Sequence, residues 1–141
     1  MKIIPILLIG TALTAGMVLA VHYISRNGHE TEEVCVPAST VAERMDYFAS
    51  HGWETEEISV RNITVPSVFS DEYEEYVRMQ DKQGLPLRRC AGNNGQLYLY
   101  EVKNYSPGNR RILAELIVCD GIAAASIVYS EDGESVRMPV Q

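Results

Sequence analysis

The sequence predicts an α+β domain: an antiparallel sheet of about five to six strands with two helices packed on one face, preceded by an N-terminal transmembrane helix. Three observations predict it. Residues 3–24 form an apolar run with no charge at neutral pH. Two amphipathic segments of helical period lie between Ser39 and Gln83. From Leu85 onward, short apolar stretches alternate with turn signals, as in a meander of strands.

The first segment, Ile3 to Ile24, reads IIPILLIGTALTAGMVLAVHYI. At about 1.5 Å rise per residue, a helix of this length spans the roughly 30 Å hydrocarbon core. Pro5 stands near its start, where a missing N–H does least harm. Tyr23 takes the far edge, a usual place for an interfacial aromatic. The run reads as an uncleaved signal-anchor. The alternative is a secretory signal cut after Ala20, because Val18-Leu19-Ala20 loosely fits the small-residue rule; a buried core helix is a third reading. The run exceeds the ~7–15 apolar residues of a signal core, which favours the anchor. Lys2 flanks one end, whereas Arg26 and the acids Glu30, Glu32 and Glu33 follow the other. Most of the mass comes after the anchor, and few charges hold it inside. The expectation is a single-pass cell-membrane protein with its C-terminal domain extracytoplasmic, or a secreted one if Ala20 is a cleavage point. The organisation is then 1–25 anchor, 26–39 acidic tether and 40–141 exported domain.

Ser39 or Thr40 caps the first helix, with Glu43 placed for a capping box. Val41, Met45, Phe48 and Ala49 make its apolar face, and His51-Gly52 ends it. Glu57 to Val65 alternates with an irregularity near Asn62, which marks a bulged strand. Ser70 to Gln83 is the second helix, with Tyr73, Tyr76, Val77 and Gln80 on one side and Gly84 as its stop. Leu87 to Ala91 reads as a short strand and Gly92-Asn93-Asn94-Gly95 as a tight turn. Gln96 to Lys103 alternates Leu97 and Leu99 against Tyr98, Tyr100 and Val102. Arg111 to Cys119 and Ile122 to Tyr129 flank Asp120-Gly121, a hairpin signal, and are apolar enough to be central. Ser135 to Met138 is a last edge strand.

Charge and composition narrow the function classes. Net charge is −7, which argues against nucleic acid as a partner. Residues 30–75 hold 12 acids and two bases, whereas residues 76–111 hold seven bases and two acids. If the turns bring Arg88, Arg89, Arg110 and Arg111 together, they make a basic patch for an anionic envelope component; pairing with the protein's own acids is the simpler expectation. Tyr98 and Tyr100 can line a sheet face for a ligand or lie under a helix. The three cysteines, Cys35, Cys90 and Cys119, are not spaced as a metal site, and no metal or cofactor is expected. Cys90 and Cys119 fall on expected strands and can form a disulfide if their Cα atoms lie within about 7 Å, leaving Cys35 odd; buried reduced thiols are the alternative. Of His22, His29 and His51, only His51 lies in the domain, without a nucleophile elbow near it. No catalytic residue is assigned. The reading is a non-enzymatic, membrane-tethered binding or interaction module, its partner an anionic envelope component or another envelope protein. The alternative is a small envelope hydrolase using Glu54, Glu56 or Glu57 near Trp53.

Several short blocks occur in order: GWETEEISV, then VPSVFSDEYEEYVRMQDKQGLPLRRCAGNNGQLYLYEVKNY, then AELIVCDGIAAASI. Gly52-Trp53, the Pro66 segment, Tyr73 to Gly84, Tyr98-x-Tyr100 and Asn104-Tyr105 carry the pattern. Over roughly residues 40–130 the chain resembles a domain-of-unknown-function family (number 4830) found in membrane-anchored proteins of Gram-positive gut bacteria. Cys90 stands where that pattern has an aromatic residue. The resemblance implies an N-terminal membrane segment and a small exported domain, and brings no activity and no catalytic residues.

Overall fold

Helix α1 (Val41–Ser50) opens the folded domain in the computed structural model, which describes residues 35–141. The expected anchor, the Ala20 cleavage point and most of the tether lie outside the described residues. Among the described residues, no helix is long and apolar enough to cross a membrane. The α1 start is the capping box the sequence predicts: the Glu43 N–H donates to Thr40 Oγ1 and the Thr40 N–H to Glu43 Oε1, both at 3.1 Å. Its buried stripe is Arg44, Tyr47 and Phe48, while Val41, expected on that stripe, is 59% exposed. Gly52, at φ +87°, supplies the left-handed turn out of the helix.

Five strands follow: β1 (Thr55–Thr64), β2 (Asn94–Val102), β3 (Ile112–Cys119), β4 (Ile122–Ser130) and β5 (Arg137–Met138). They form one antiparallel sheet in the order β1-β2-β3-β4-β5. The irregularity in β1 falls between Glu57 and Ser59 rather than near Asn62. The β3–β4 hairpin is central as expected, and its Asp120-Gly121 turn has φ +50° and +73°, a pair of left-handed residues that an Asp-Gly sequence readily adopts. The second helix begins as a 3-10 turn (Asp71–Tyr73) and becomes α2 (Glu74–Lys82).

Two expectations are corrected. Leu87–Cys90 is a 3-10 turn, not a strand. Leu87 and Cys90 are both buried, the spacing of one tight turn, which period-2 reasoning misreads as alternation. The helices also serve opposite faces rather than one. Phe48 of α1 packs with Tyr100, Ala114, Leu116 and Val118, whereas Val77 of α2 belongs to a second cluster with Ile117, Cys119 and Ala125. On β3 these two sets alternate, so they point to opposite sides of the sheet. Phe48 lies 4.7 Å from Tyr100, ring centroid to centroid, at the centre of the first cluster.

The two sheet edges differ. The outer edge of β4 is covered in three pieces. The Ala123 N–H donates to Val36 O at 2.9 Å and the Ala38 N–H to Gly121 O at 2.8 Å; glutamines from α2 and its cap follow at Ser126, and β5 pairs beyond. On the opposite side, β1 pairs only with β2 among the described residues and leaves Ile58 44% and Val60 53% exposed.

Candidate functional site

Three clusters of polar or reactive side chains stand out. The first lies between α1 and the β1–β2 pair. Arg44 is buried and reaches Glu57 at 3.5 Å; its Nη1 also donates to Ala38 O at 3.2 Å and Ser39 O at 3.0 Å. Its guanidinium lies 3.9 Å from the centroid of the Tyr98 ring, a cation–π contact. Tyr100 is fully buried beside them, and its Oη has no hydrogen-bond partner. Burial, then the Glu57 charge, pushes the Tyr100 phenol well above its ordinary value, and Arg44 offsets part of that rise. Tyr100 thus lies under α1, and half-buried Tyr98 lies beneath the Arg44 guanidinium.

The second cluster ties α1, α2, β4 and the C-terminus together. The Ser126 N–H donates to Gln80 Oε1 at 2.8 Å, and Gln80 Nε2 donates to Ser126 O at 3.0 Å. Gln83 Nε2 also donates to Ser126 O, and Gln83 Oε1 accepts from the Val140 N–H at 2.9 Å. Tyr47 Oη and Ser126 Oγ share a hydrogen bond of 2.7 Å. Gln80 and Gln83 are 0% and 4% exposed, so this is a satisfied interior network. A groove of about 590 Å³ runs outside it, between the charged face of α2 and Pro139 and Gln141.

The third is a cavity of about 350 Å³ at the β3–β4 turn, lined by all three cysteines with Arg89, Asn93 and Asp120 among its other walls. The thiols are free; Cys35 is exposed, Cys90 and Cys119 buried. Cys119 and Cys90 belong to one buried cluster, and burial first, then the Cys90 side chain, pushes Cys119 up to about 12. The sequence offers Cys90 with Cys119 as a pair but gives no sign that Cys35 joins them: Cys90 arrives on the 3-10 turn, Cys119 on β3, and Cys35 on the stretch stitched to β4.

The arginines do not form one patch. Arg88 and Arg89 lie on the turn that precedes β2, near the Cys119 end of β3, while Arg110 and Arg111 precede the opposite end. The eight residues of β3 separate the two pairs by roughly 26 Å. Arg88 is paired with Asp81 at 2.9 Å, Arg111 with Glu101 at 2.8 Å and Glu131 at 3.4 Å, and Arg110 with Asp132 at 3.7 Å. Two of the three carboxylates near Trp53 are also engaged: Glu56 meets Lys103 at 3.0 Å, and Glu57 meets Arg44 at 3.5 Å. Trp53 Nε1 donates to Val140 O at 2.8 Å, and its ring stands edge-on to Tyr105. Among the described residues, no three His, Cys, Asp or Glu side chains are placed to hold a metal ion.

No family model, curated protein or solved structure matches the chain.

Proposed function

We propose that the chain is a membrane-tethered, extracytoplasmic domain of the bacterial cell envelope that works as a non-enzymatic binding module. The observation that carries this reading is the run of residues 3–24 itself, which holds no charge at neutral pH and is long enough to cross a bilayer as a helix. The resemblance to family 4830 implies the same placement.

Internal ion pairing supports binding over catalysis, because Glu56, Glu57, Arg88 and Arg111 already serve one another or their neighbours. The partner that fits a chain of net charge −7, with Arg88, Arg110 and Arg111 paired to its own acids, is another envelope protein rather than an anionic lipid or wall polymer. Membrane attachment is tested by alkaline carbonate extraction of cells expressing the full chain or a form lacking residues 2–24. The full chain is expected in the extracted membrane pellet and the truncated form in the supernatant. A full chain released by carbonate contradicts the anchor.

A further inference from the structure

Cys35, Cys90 and Cys119 come from three separate segments and line one cavity. Two features fix them there. The Cys35 segment is held one residue further on, where the Ala123 N–H donates to Val36 O, and Pro37 bridges Ile122 directly after the Asp120-Gly121 turn. The Cys119 sulfur sits where Gly95 has no side chain: a Cβ on Gly95 would stand 2.9 Å from Cys119 Sγ and 2.7 Å from Val118 O. The exposure is graded, because Cys35 is open to solvent while Cys90 and Cys119 are 8% and 4% exposed and share one buried cluster.

We infer that the three cysteines form a thiol–disulfide exchange site, in which Cys35 takes a low-molecular-weight disulfide from solvent and passes the oxidation to the Cys90–Cys119 pair. The Cys35 thiolate attacks one sulfur of the incoming disulfide, forming a mixed disulfide and expelling one thiolate. Cys90 attacks the Cys35 sulfur, forming Cys35–Cys90 and expelling the second thiolate. Cys119 attacks the Cys90 sulfur, forming Cys90–Cys119 and returning Cys35 as a thiolate. The small disulfide is reduced to two thiols, which take up the protons lost by Cys90 and Cys119, and the chain gains one disulfide. The order follows first from accessibility, since Cys35 is the exposed thiol; burial holds Cys119 protonated, so it acts last, giving up its proton to a released small thiolate as it attacks. The site needs only the cavity and an added disulfide, wherever the domain resides.

The test uses the reduced full-length chain in detergent, with glutathione disulfide as the probe. Thiols are capped with N-ethylmaleimide at intervals, and linked peptides are mapped by mass spectrometry. The Cys90–Cys119 linkage is expected to accumulate, to form about tenfold more slowly in Cys35→Ser, and to stop at Cys35–Cys90 in Cys119→Ser. Glutathione that stays on Cys35 with no Cys90–Cys119 linkage overturns the exchange site. A Cys35→Ser chain that oxidises at the wild-type rate overturns the role of Cys35. Because Cys35 is exposed, its serine variant keeps the fold, so these two results decide even if Cys119→Ser does not fold.

Discussion

Gln80 pairs with Ser126 as a residue on a neighbouring strand would. Its carboxamide accepts the Ser126 N–H and donates to the Ser126 carbonyl, at 2.8 and 3.0 Å. One side chain from α2 therefore continues the ladder between the residues 36–38 stretch and β5, and β4 has no bare edge at that point. A carboxamide offers a donor and an acceptor side by side in one plane, as a backbone peptide group does.

Gln80→Ala leaves the Ser126 N–H without its partner inside the protein, while the carbonyl keeps Gln83. An unsatisfied buried donor costs about 1–3 kcal/mol, so the urea midpoint should fall by that equivalent with an unchanged slope. Gln83→Ala should cost a similar amount, and the double variant less than the sum, because both act on Ser126. Full additivity in urea melts would show that the two amides do not form one network.

Arg44→Met removes the partner of Glu57 and the cation over Tyr98. Breaking a buried pair is expensive, and with Glu57 a quarter exposed the expected loss is about 2–4 kcal/mol in chemical denaturation. Arg44→Met combined with Glu57→Gln should recover much of that, since the penalty is the stranded charge. A double variant no more stable than Arg44→Met alone would show that packing, not charge, sets the cost.

Asp132 ties the turn between β4 and β5. Its carboxylate accepts from the hydroxyls of Ser130 and Ser135 and from the N–H groups of Glu134 and Ser135. These bonds, that from Ser130 first, hold its pKa far below the ordinary aspartate range. A depressed folded-state value means that this stabilisation is fully present above about pH 4 and is lost as pH falls further. Thermal melts at neutral and acid pH should therefore show a smaller acid-induced drop for Asp132→Asn than for wild type. Equal drops would remove Asp132 as a source of the acid sensitivity.

Gly95→Ala places a methyl 2.7 Å from the Val118 carbonyl oxygen and 2.9 Å from the Cys119 sulfur. Neither backbone nor a buried sulfur yields cheaply, so a loss of about 1–3 kcal/mol is expected in a denaturant titration. Pairing Gly95→Ala with Cys119→Ala should restore only the part due to sulfur. Unchanged stability in Gly95→Ala would mean that the strands have room to part at this point.

Local chemistry made some elements legible. Thr40 and Glu43 announced the start of α1, and Asp120-Gly121 announced the central hairpin, because each signal acts through its own backbone. Long-range choices were not legible. The apolar periodicity of α1 pointed to Val41, yet the helix turns Arg44 inward because Glu57 and Tyr98 lie across from it on the sheet. Period 2 over Leu87–Ala91 suggested a strand where the buried pair Leu87 and Cys90 closes a 3-10 turn. Sequence order does not record which side of a sheet a crossover takes, so it does not distinguish helices on one face from helices on two. The thiol cavity depends on that same crossover, which brings Cys90 to the α2 side of β3. The four arginines read as a patch only while their positions along the strands are unknown; the register of β2 with β3 puts them at opposite ends.

Protease treatment of intact cells expressing the full-length chain, tagged at the C-terminus, tests the placement beyond the membrane most directly. The account predicts that the tag is lost from intact cells while a cytoplasmic marker survives. A tag that persists until the cells are lysed would put the folded domain inside and contradict it.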